Sequence, residues 1–175
     1  MSIKYKFHDP TEIYFVSFAV VDWIDVFTRA VYRDILLESL SYCRKEKGLK
    51  LHAWVIMSNH IHLIISSKEG YLLPNIMRDL KKYSSFRILK EIKESITESR
   101  KEWMLWMFER AGSKSSNVKG KQFWQYNNKP IELWSAEVIE QKADYLHDNP
   151  IVSGYVNEAW HWKYSSAIDY SGGKG

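Results

Sequence analysis

The most informative segment of the chain is residues 51–66, which read LHAWVIMSNHIHLIIS. Both halves are rich in apolar and β-branched residues, and the Ser58-Asn59 pair between them is typical of a turn. We therefore predict a β-hairpin with strands over 51–57 and 60–66. Side chains alternate between the two faces of a strand, so one face of the second strand is wholly apolar. That face requires a layer of helices over it.

The segments on either side of the hairpin supply the rest of an α+β fold. The predicted elements are a strand over 11–21, helices over 29–47, 74–93 and 99–110, strand-like pieces at 122–126 and 130–134, and a helix that starts at Ser135 and ends near Pro150. Their order is strand–helix–strand–strand–helix–strand, followed by a further helix. This order predicts a ferredoxin-like (RRM-like) antiparallel sheet with helices on one face. We expect the other face to be open and to carry the active site.

Length and composition are those of one globular domain of 175 residues, 45% hydrophobic and 26% charged. The single cysteine, Cys43, excludes a disulfide framework and a cysteine zinc cluster. The longest apolar run, near residues 13–21, is too short to span a bilayer, and the first residues lack the pattern of a signal peptide. We expect a soluble, cytoplasmic protein without a membrane partner. The predicted organisation is one domain over 1–175, with an N-terminal arm at 1–10, a mobile loop at 111–121 and a C-terminal tail at 151–175.

The positive charge of the chain is concentrated in one segment. Lys and Arg number 25 against 21 Asp and Glu, a net charge of +4. Residues 78–101 alone contain eight basic and four acidic side chains, which accounts for the whole excess. A localised basic element in a chain with 15% aromatic residues suits a nucleic-acid partner. Lys81, Lys82 and Arg87 are the candidates for backbone contacts, and the alternative is an ordinary solvated helix face.

The second strand of the hairpin contains a candidate metal site. His60 and His62 share one face of this strand, opposite its apolar face. Two imidazoles in this arrangement can ligate one divalent cation if a third ligand comes from elsewhere. Pairing of the strands through the turn would place Val55 opposite His62 and His52 on the helix-covered face, and a one-residue bulge would reverse the position of His52. The alternative is two surface histidines that bind no metal.

The last predicted helix contains a candidate nucleophile in the segment DYLHDNP, residues 144–150. Tyr145 and Asn149 are four residues apart and therefore lie on one face of the helix. A phenol is a weak nucleophile at neutral pH because its pKa is about 10, so a cation or base must assist it. His147 lies about 200° around the helix from Tyr145 and is expected to face away, and the alternative is that a frayed helix end lets it approach the metal. The alternative is a tyrosine packed in the core and an asparagine that caps the helix end.

Four segments in this order, MSNHIHLII, FWQYNNKPIELWS, EVIEQKADYLHDNPIVSGYV and WKYSSAIDY, resemble the REP-associated tyrosine transposases. These belong with the single-tyrosine transposases in the HUH endonuclease superfamily, where U is a hydrophobic residue. The resemblance covers nearly the whole chain. It implies that His60 and His62 bind Mg²⁺ or Mn²⁺, that Tyr145 is the nucleophile and that Asn149 is the third metal ligand. Ser58 departs from the family pattern, because relatives often have proline there.

The resemblance also implies the chemistry and leaves three functions open. The first is a transposase that cleaves single-stranded DNA next to a hairpin through a 5′-phosphotyrosine and then rejoins strands. The second is a catalytically silent nucleic-acid-binding ferredoxin-like module, and the third is a metal-dependent hydrolase that uses water, with Tyr145 structural. Relatives include monomers and homodimers that exchange the tyrosine helix. The tyrosine can therefore come from the same chain or from a partner.

Overall fold

An antiparallel sheet of four strands lies at the centre of the computed structural model, which describes residues 7–9, 11–115, 120–126 and 128–173. The strands are β1 (Tyr14–Ala19), β2 (Leu49–Ile56), β3 (His60–Ser67) and β4 (Ile131–Glu132). The helices are α1 (Ala30–Glu46), α2 (Leu73–Glu94), α3 (Lys101–Ser113), α4 (Ala136–Val152) and α5 (Ala167–Tyr170). Short 3-10 turns lie at Val21–Trp23, Val26–Thr28 and Ala159–His161.

The strand order is β2-β3-β1-β4, and every neighbouring pair is antiparallel. With α1 between β1 and β2 and α2 after β3, this is the topology of a ferredoxin-like fold, with α3 as an additional helix before β4. The predicted α+β ferredoxin-like fold is confirmed. Among the helices in the described part of the chain, none is long and apolar enough to cross a membrane.

The β2–β3 hairpin has the predicted pairing near its turn and a bulge farther away. Val55 lies opposite His62, as predicted. The register then shifts between Leu51 and Ala53, so that Leu51 rather than His52 lies opposite Ile65. This bulge turns the imidazole of His52 towards Ser66, whose Oγ lies 2.8 Å from its Nε2. Ser66 shares a face with His62, so the prediction that His52 lies on the helix-covered face is wrong.

The main core lies between one face of the sheet and helices α1 and α2. On α2, buried residues recur every four positions and form one continuous buried stripe along the helix. These residues are Ile76, Leu80, Ser84, Ile88 and Ile92. The four apolar members of the stripe belong to the same buried cluster as Ile61, Leu63 and Ile65, the apolar face of β3. The helical layer that the hairpin pattern required is therefore present.

The second face of the sheet is partly covered by α4, which packs on β2 and β3. Ala143 and Leu146 of this helix form a smaller buried cluster with Phe15, Val55 and Ile64. The expectation that this face is open is therefore wrong for the part beneath α4. The apolar positions of α4 are three residues apart, which gives the helix its own stripe to bury.

The ends of α4 differ slightly from the prediction. Ser135 begins the helix as predicted, and its Oγ accepts a hydrogen bond from the amide of Val138 at 3.3 Å. At the other end, Pro150 lies inside the helix, which continues to Val152. A proline inside a helix removes the hydrogen bond that its nitrogen would have donated and crowds the preceding turn, and α4 ends two residues after it.

The less regular segments agree in part with the predictions. Of the predicted arm, the structure describes residues 7–9, where the amides of His8 and Asp9 donate to the hydroxyl of Tyr14. The predicted loop at 111–121 begins inside α3, and residues 116–119 lie outside the described residues. In the predicted strand-like piece 122–126, Trp124 forms a single bridge with Val20.

Residues 162–166, in the segment predicted as the C-terminal tail, pack along β2. The amide of Ile56 donates to the carbonyl of Tyr164 at 2.9 Å, and Val55 forms a bridge with Ser165. The indole of Trp162 donates to the carbonyl of Ile56 at 3.0 Å. These bonds cover the outer edge of β2, which would otherwise present unpaired backbone groups.

Candidate active site

Strand β3 places two imidazole rings side by side on the face of the sheet that α4 partly covers. The rings of His60 and His62 have centroids 4.8 Å apart and planes inclined at 73°. Alternation along the strand requires this, because residues two apart point to the same side. His52 lies on the same side after the bulge but bonds to Ser66, about 13 Å along β3 from His62. It is therefore not the third member of this pair.

His62 is buried in a stack of rings. Its imidazole lies parallel to the ring of Phe15 at 5.3 Å and edge-on to the ring of Tyr145 at 5.7 Å. Burial, with smaller contributions from His60 and the ammonium of Lys142, lowers the pKa of His62 to about 3. Its buried Nδ1 has no hydrogen-bond partner among the described residues. His62 is thus a neutral imidazole with an uncommitted nitrogen, as a metal ligand must be.

The orientation of His60 is set by Asn59. The Asn59 Nδ2 group donates to the carbonyl of Trp23 at 3.2 Å and to Asp25 Oδ1 at 2.9 Å, so its Oδ1 must face the other way. That Oδ1 lies 2.8 Å from His60 Nδ1 and accepts a hydrogen bond from its N–H group. The tautomer that results leaves Nε2 of His60 unprotonated. Asn59 therefore acts as the partner that a metal-binding histidine needs at its other nitrogen.

The pKa of His60 is lowered by burial, which disfavours the charged ring. A hydrogen bond with the side chain of Asn149 and the charge of Asp25 oppose this effect. The contact with Asn149 also connects β3 to α4 at the site. Both histidines are therefore neutral near pH 7 and available to a cation.

Helix α4 brings Tyr145 and Asn149 to the same place. The Asn149 side chain, one turn after Tyr145, donates to the Tyr145 carbonyl at 3.2 Å. The Tyr145 side chain is 51% exposed, with its ring edge-on to Phe15 at 6.0 Å and 5.3 Å from the ammonium of Lys142. The structure thus brings together all four predicted residues, His60, His62, Tyr145 and Asn149, within one chain.

The sequence analysis missed the polar network behind His60. Ser58 Oγ donates to Asp25 Oδ1 at 2.6 Å and accepts from the hydroxyl of Tyr155 at 3.1 Å. Asp25 also accepts from Asn59, as described above. The residues of this network come from three separate loops, so no local spacing in the sequence connects them. The one available signal was the polar Ser58-Asn59 turn directly before the histidines.

His147 faces away from the site, as predicted. Its Nε2 lies 2.9 Å from Ser166 Oγ, and its ring is edge-on to that of Tyr170 at 4.8 Å. Burial lowers the pKa of His147, so this ring is also neutral near pH 7. It connects α4 to the C-terminal segment.

Lys81 occupies a position different from that expected of a contact to nucleic acid. Its ammonium points inward and donates to the carbonyl of Gln125 at 2.6 Å and to Asn128 Oδ1 at 3.0 Å. It also lies 5.2 Å from the centre of the Phe18 ring, and burial lowers its pKa to about 8. Its observed partners are those of a residue that fixes the segment before β4.

Lys82 and Arg87 are on the outer side of α2. Lys82 is exposed, whereas Arg87 donates to the hydroxyl of Tyr83 at 2.9 Å and pairs with Glu38 at 3.5 Å. Helix α2 packs on the face of the sheet opposite to that of the histidines. A bound strand that touches both must pass around an edge of the sheet.

The donors of the site suit a divalent cation held by few protein ligands. Within the described ranges, no group of three or more His, Cys, Asp or Glu residues is placed to hold a metal. The site instead offers two neutral imidazoles and the amide of Asn149. The buried Nδ1 of His62 has no hydrogen-bond partner among the described residues, and this observation favours a cation as the ligand of this pair of imidazoles.

Three comparisons with known proteins bear on this arrangement. Residues 19–126 match the family model described as "Transposase IS200 like", a range that includes both histidines and ends before Tyr145. A REP-associated tyrosine transposase, solved bound to a REP hairpin, has a similar structure with a TM-score of 0.70 at 16% identity, over 100% of this chain and 89% of that one.

A putative transposase from Deinococcus radiodurans aligns with a TM-score of 0.42 at 19% identity, over 63% of this chain and 97% of that one. No curated protein sequence is similar enough to count as a match. The likeness to the hairpin-bound structure concerns the fold, since the identity is low. The family model, which covers more than half of the chain, shows that this protein belongs to the IS200-like transposase family.

Proposed function

We propose that this protein is a metal-dependent single-stranded DNA endonuclease and strand transferase that acts at DNA hairpins through a 5′-phosphotyrosine. The observation that carries the proposal is the contact between the rings of Tyr145 and His62, 5.7 Å apart in one chain. A potential nucleophile thus lies beside a potential metal ligand. The hairpin bound to the structurally similar transposase supports a hairpin as the substrate of this chain.

In this proposal His60, His62 and Asn149 hold Mg²⁺ or Mn²⁺. When bound, the cation stabilises the negative charge that develops on the scissile phosphate. The chain contributes two imidazoles that burial keeps neutral, so binding at neutral pH displaces no proton from them. Asn59 holds the Nδ1 proton of His60 and directs Nε2 towards the site.

Tyr145 performs the covalent step. Its phenolic oxygen attacks the phosphorus, and the bond from phosphorus to the 3′-oxygen of the preceding nucleotide breaks. The phenolic proton ends on that 3′-oxygen, which leaves a free 3′-hydroxyl and a 5′-phosphotyrosine. In the second step another 3′-hydroxyl attacks, and the proton returns to the phenol. One phosphodiester is exchanged for another, so no nucleotide hydrolysis is required.

Lys82 and Arg87 are proposed to contact the DNA backbone from α2. Both lie on the outer side of that helix, where basic side chains can make salt-dependent contacts to phosphates. We do not propose a direct contact for Lys81, because its ammonium is committed to Gln125 and Asn128.

The test is the covalent adduct. A pool of single strands with a common hairpin and randomised flanks, labelled at the 3′ end, is incubated with Mn²⁺ and the full-length protein. The 3′ label is required because the 5′-phosphotyrosine retains the downstream fragment. We expect a labelled band at the size of the protein on a denaturing gel for the wild type and none for Tyr145→Phe.

Tyr126→Phe is the matched control, because Tyr126 is 54% exposed and Tyr145 is 51% exposed. It should form the adduct like the wild type. Cleavage without an adduct in Tyr145→Phe would overturn the tyrosine mechanism in favour of a hydrolase that uses water. Hairpin binding without cleavage of any strand in the pool would favour the catalytically silent binding module.

A further inference from the structure

We propose that Trp23 is a stacking site for an unpaired nucleobase beside the scissile phosphate, an inference that rests on the proposed function. The indole is 55% exposed and lies edge-on to the ring of His60, with centroids 5.9 Å apart and planes at 74°. Trp23 is therefore an exposed tryptophan in direct contact with a candidate metal ligand. Every base has a π-face, so such a ring can bind any base that is not paired.

The backbone at Trp23 is strained. Asp22 has φ 52° and Trp23 has φ 55°, the left-handed region that bulky side chains rarely enter. Two hydrogen bonds hold this conformation, from the Trp23 amide to the Val20 carbonyl at 3.1 Å and from Asn59 Nδ2 to the Trp23 carbonyl at 3.2 Å. Strain of this kind persists where the surrounding structure enforces it, and it concentrates at functional sites.

The core does not include the indole of Trp23. Val21 and Ile24, on either side of the strained pair, are both buried in the main core and anchor the turn. The indole of Trp23 stays outside that cluster and is directed towards His60. An ordinary turn would leave a smaller or polar residue at this position. The turn therefore presents the ring at the site at the expense of local backbone energy.

One side chain connects the backbone of Trp23 to the candidate metal ligand. The amide of Asn59 donates to the backbone carbonyl of Trp23 and accepts from the imidazole of His60. The backbone that carries the indole is thus tied to His60 through a single side chain. A base stacked on Trp23 would place its own phosphate in register with the cation site, which is the positioning that in-line attack by Tyr145 requires.

The ligand class follows from this geometry. The indole offers a ring and no base-reading donor pattern, so it selects an unpaired base over a stacked duplex and tolerates all four bases. The exposed Trp106 on α3 has a different partner, the guanidinium of Arg110, which lies 5.5 Å from the centre of its ring. Trp106 is 57% exposed and therefore serves as a matched control.

The test compares two probes in the Tyr145→Phe protein, where no cleavage interferes. One probe is a labelled oligothymidine, and the other is an abasic strand of equal length with the same phosphates. We expect Trp23→Ala to weaken binding of oligothymidine about 5- to 140-fold and to leave abasic binding unchanged. Trp23→Phe should retain part of the affinity, and Trp106→Ala should bind both probes normally. An oligothymidine containing 5-iododeoxyuridine should cross-link to Trp23 under ultraviolet light.

An equal loss of affinity for both probes in Trp23→Ala would overturn the inference, because the ring would then act through the fold or the charge of the site. Unchanged binding of both probes without a cross-link to Trp23 would also overturn it. The failure of the proposed function has a separate readout. Base-dependent binding at Trp23 in a protein that forms no tyrosine adduct would contradict the chemistry and retain the stacking site. A tyrosine adduct in the wild type, together with unchanged binding of oligothymidine by Trp23→Ala, would support the chemistry and contradict the stacking site.

Discussion

The ring of Tyr145 stands edge-on to the imidazole of His62, with centroids 5.7 Å apart and planes at 64°. The two residues come from different elements, α4 and β3, and from the same chain. A candidate nucleophile and a candidate ligand are therefore adjacent without a second subunit. Their roles are nevertheless separable, because the phenol is proposed to attack phosphorus and the imidazole to hold the cation.

The first prediction separates these two roles by Mn²⁺ binding. Asn149→Ala removes the proposed third ligand, which also contacts His60, and should weaken Mn²⁺ binding about 10- to 100-fold. Tyr145→Phe keeps the ring against Phe15 and His62 and should bind Mn²⁺ like the wild type. Electron paramagnetic resonance of free Mn²⁺ measures both. An equal loss in Tyr145→Phe would make the phenol a ligand and contradict the assignment.

The second prediction concerns the tautomer of His60. Asn59→Ala removes the acceptor of the His60 Nδ1 proton, so the ring can turn or change tautomer, and Mn²⁺ affinity should fall about 10- to 100-fold. Ser58→Ala is the control, since Ser58 bonds to the same Asp25 carboxylate and has no bond to His60. Isothermal titration of Mn²⁺ compares the two variants. A similar loss of Mn²⁺ affinity in both variants would assign the effect to the turn at residues 58–59 as a whole and not to the bond with His60.

The third prediction concerns a buried carboxylate. The Glu98 side chain is fully buried and pairs with Arg29 at 2.9 Å and Arg100 at 3.1 Å. Glu98→Ala removes the carboxylate from two partly exposed guanidinium groups and leaves the buried hydroxyl of Tyr32 without its acceptor, so it should lower the free energy of unfolding by about 1 to 3 kcal/mol. In Glu94→Ala, which removes an exposed ion pair at 4.0 Å, the change should stay below about 0.5 kcal/mol. Urea unfolding measures both, and equal effects would contradict the prediction.

The fourth prediction is a pH dependence caused by Lys81. Burial lowers its pKa to about 8, whereas a lysine in an unfolded chain titrates near 10.4. Between these values the unfolded chain binds more protons, so the free energy of unfolding rises with pH. The wild type should therefore gain stability relative to Lys81→Met from about pH 7 to about pH 10.

Urea unfolding at several pH values checks this, with Lys82→Met as the control for an exposed lysine on the same helix. This control separates the effect of the buried ammonium from the effect of removing a lysine from α2. A constant difference between the wild type and Lys81→Met would show that the buried ammonium keeps an ordinary pKa.

Residue periodicity contained most of the information about the fold. Helix α2 and the alternation on β3 both fall where the sequence predicts them. The bulge at His52 and the docking of α4 could not be predicted in this way. A bulge depends on the register between two strands, and the short stripe of Ala143 and Leu146 does not say which surface it will cover.

The candidate site also contains a part that the sequence predicts and a part that it does not. Local geometry places two pairs of residues each on one face: His60 and His62, two residues apart on a strand, and Tyr145 and Asn149, four residues apart on a helix. Asn59 meets Trp23 and Asp25 only because two loops distant in sequence come together. Lys81 and Lys82 are equivalent as charges in a sequence. The position around the helix axis makes one a buried anchor and leaves the other in solvent.

The sheet separates two hydrophobic cores of unequal size. Helices α1 and α2 fill the larger one, and Ala143 and Leu146 of α4 belong to the smaller one, next to the ring stack. Substitutions that lie on opposite sides of the sheet and do not touch each other should therefore have additive effects on stability. Helix α4 is thus an attachment to a scaffold that already has its own core, and the chemistry proposed for Tyr145 is open to alteration without rebuilding the scaffold beneath it.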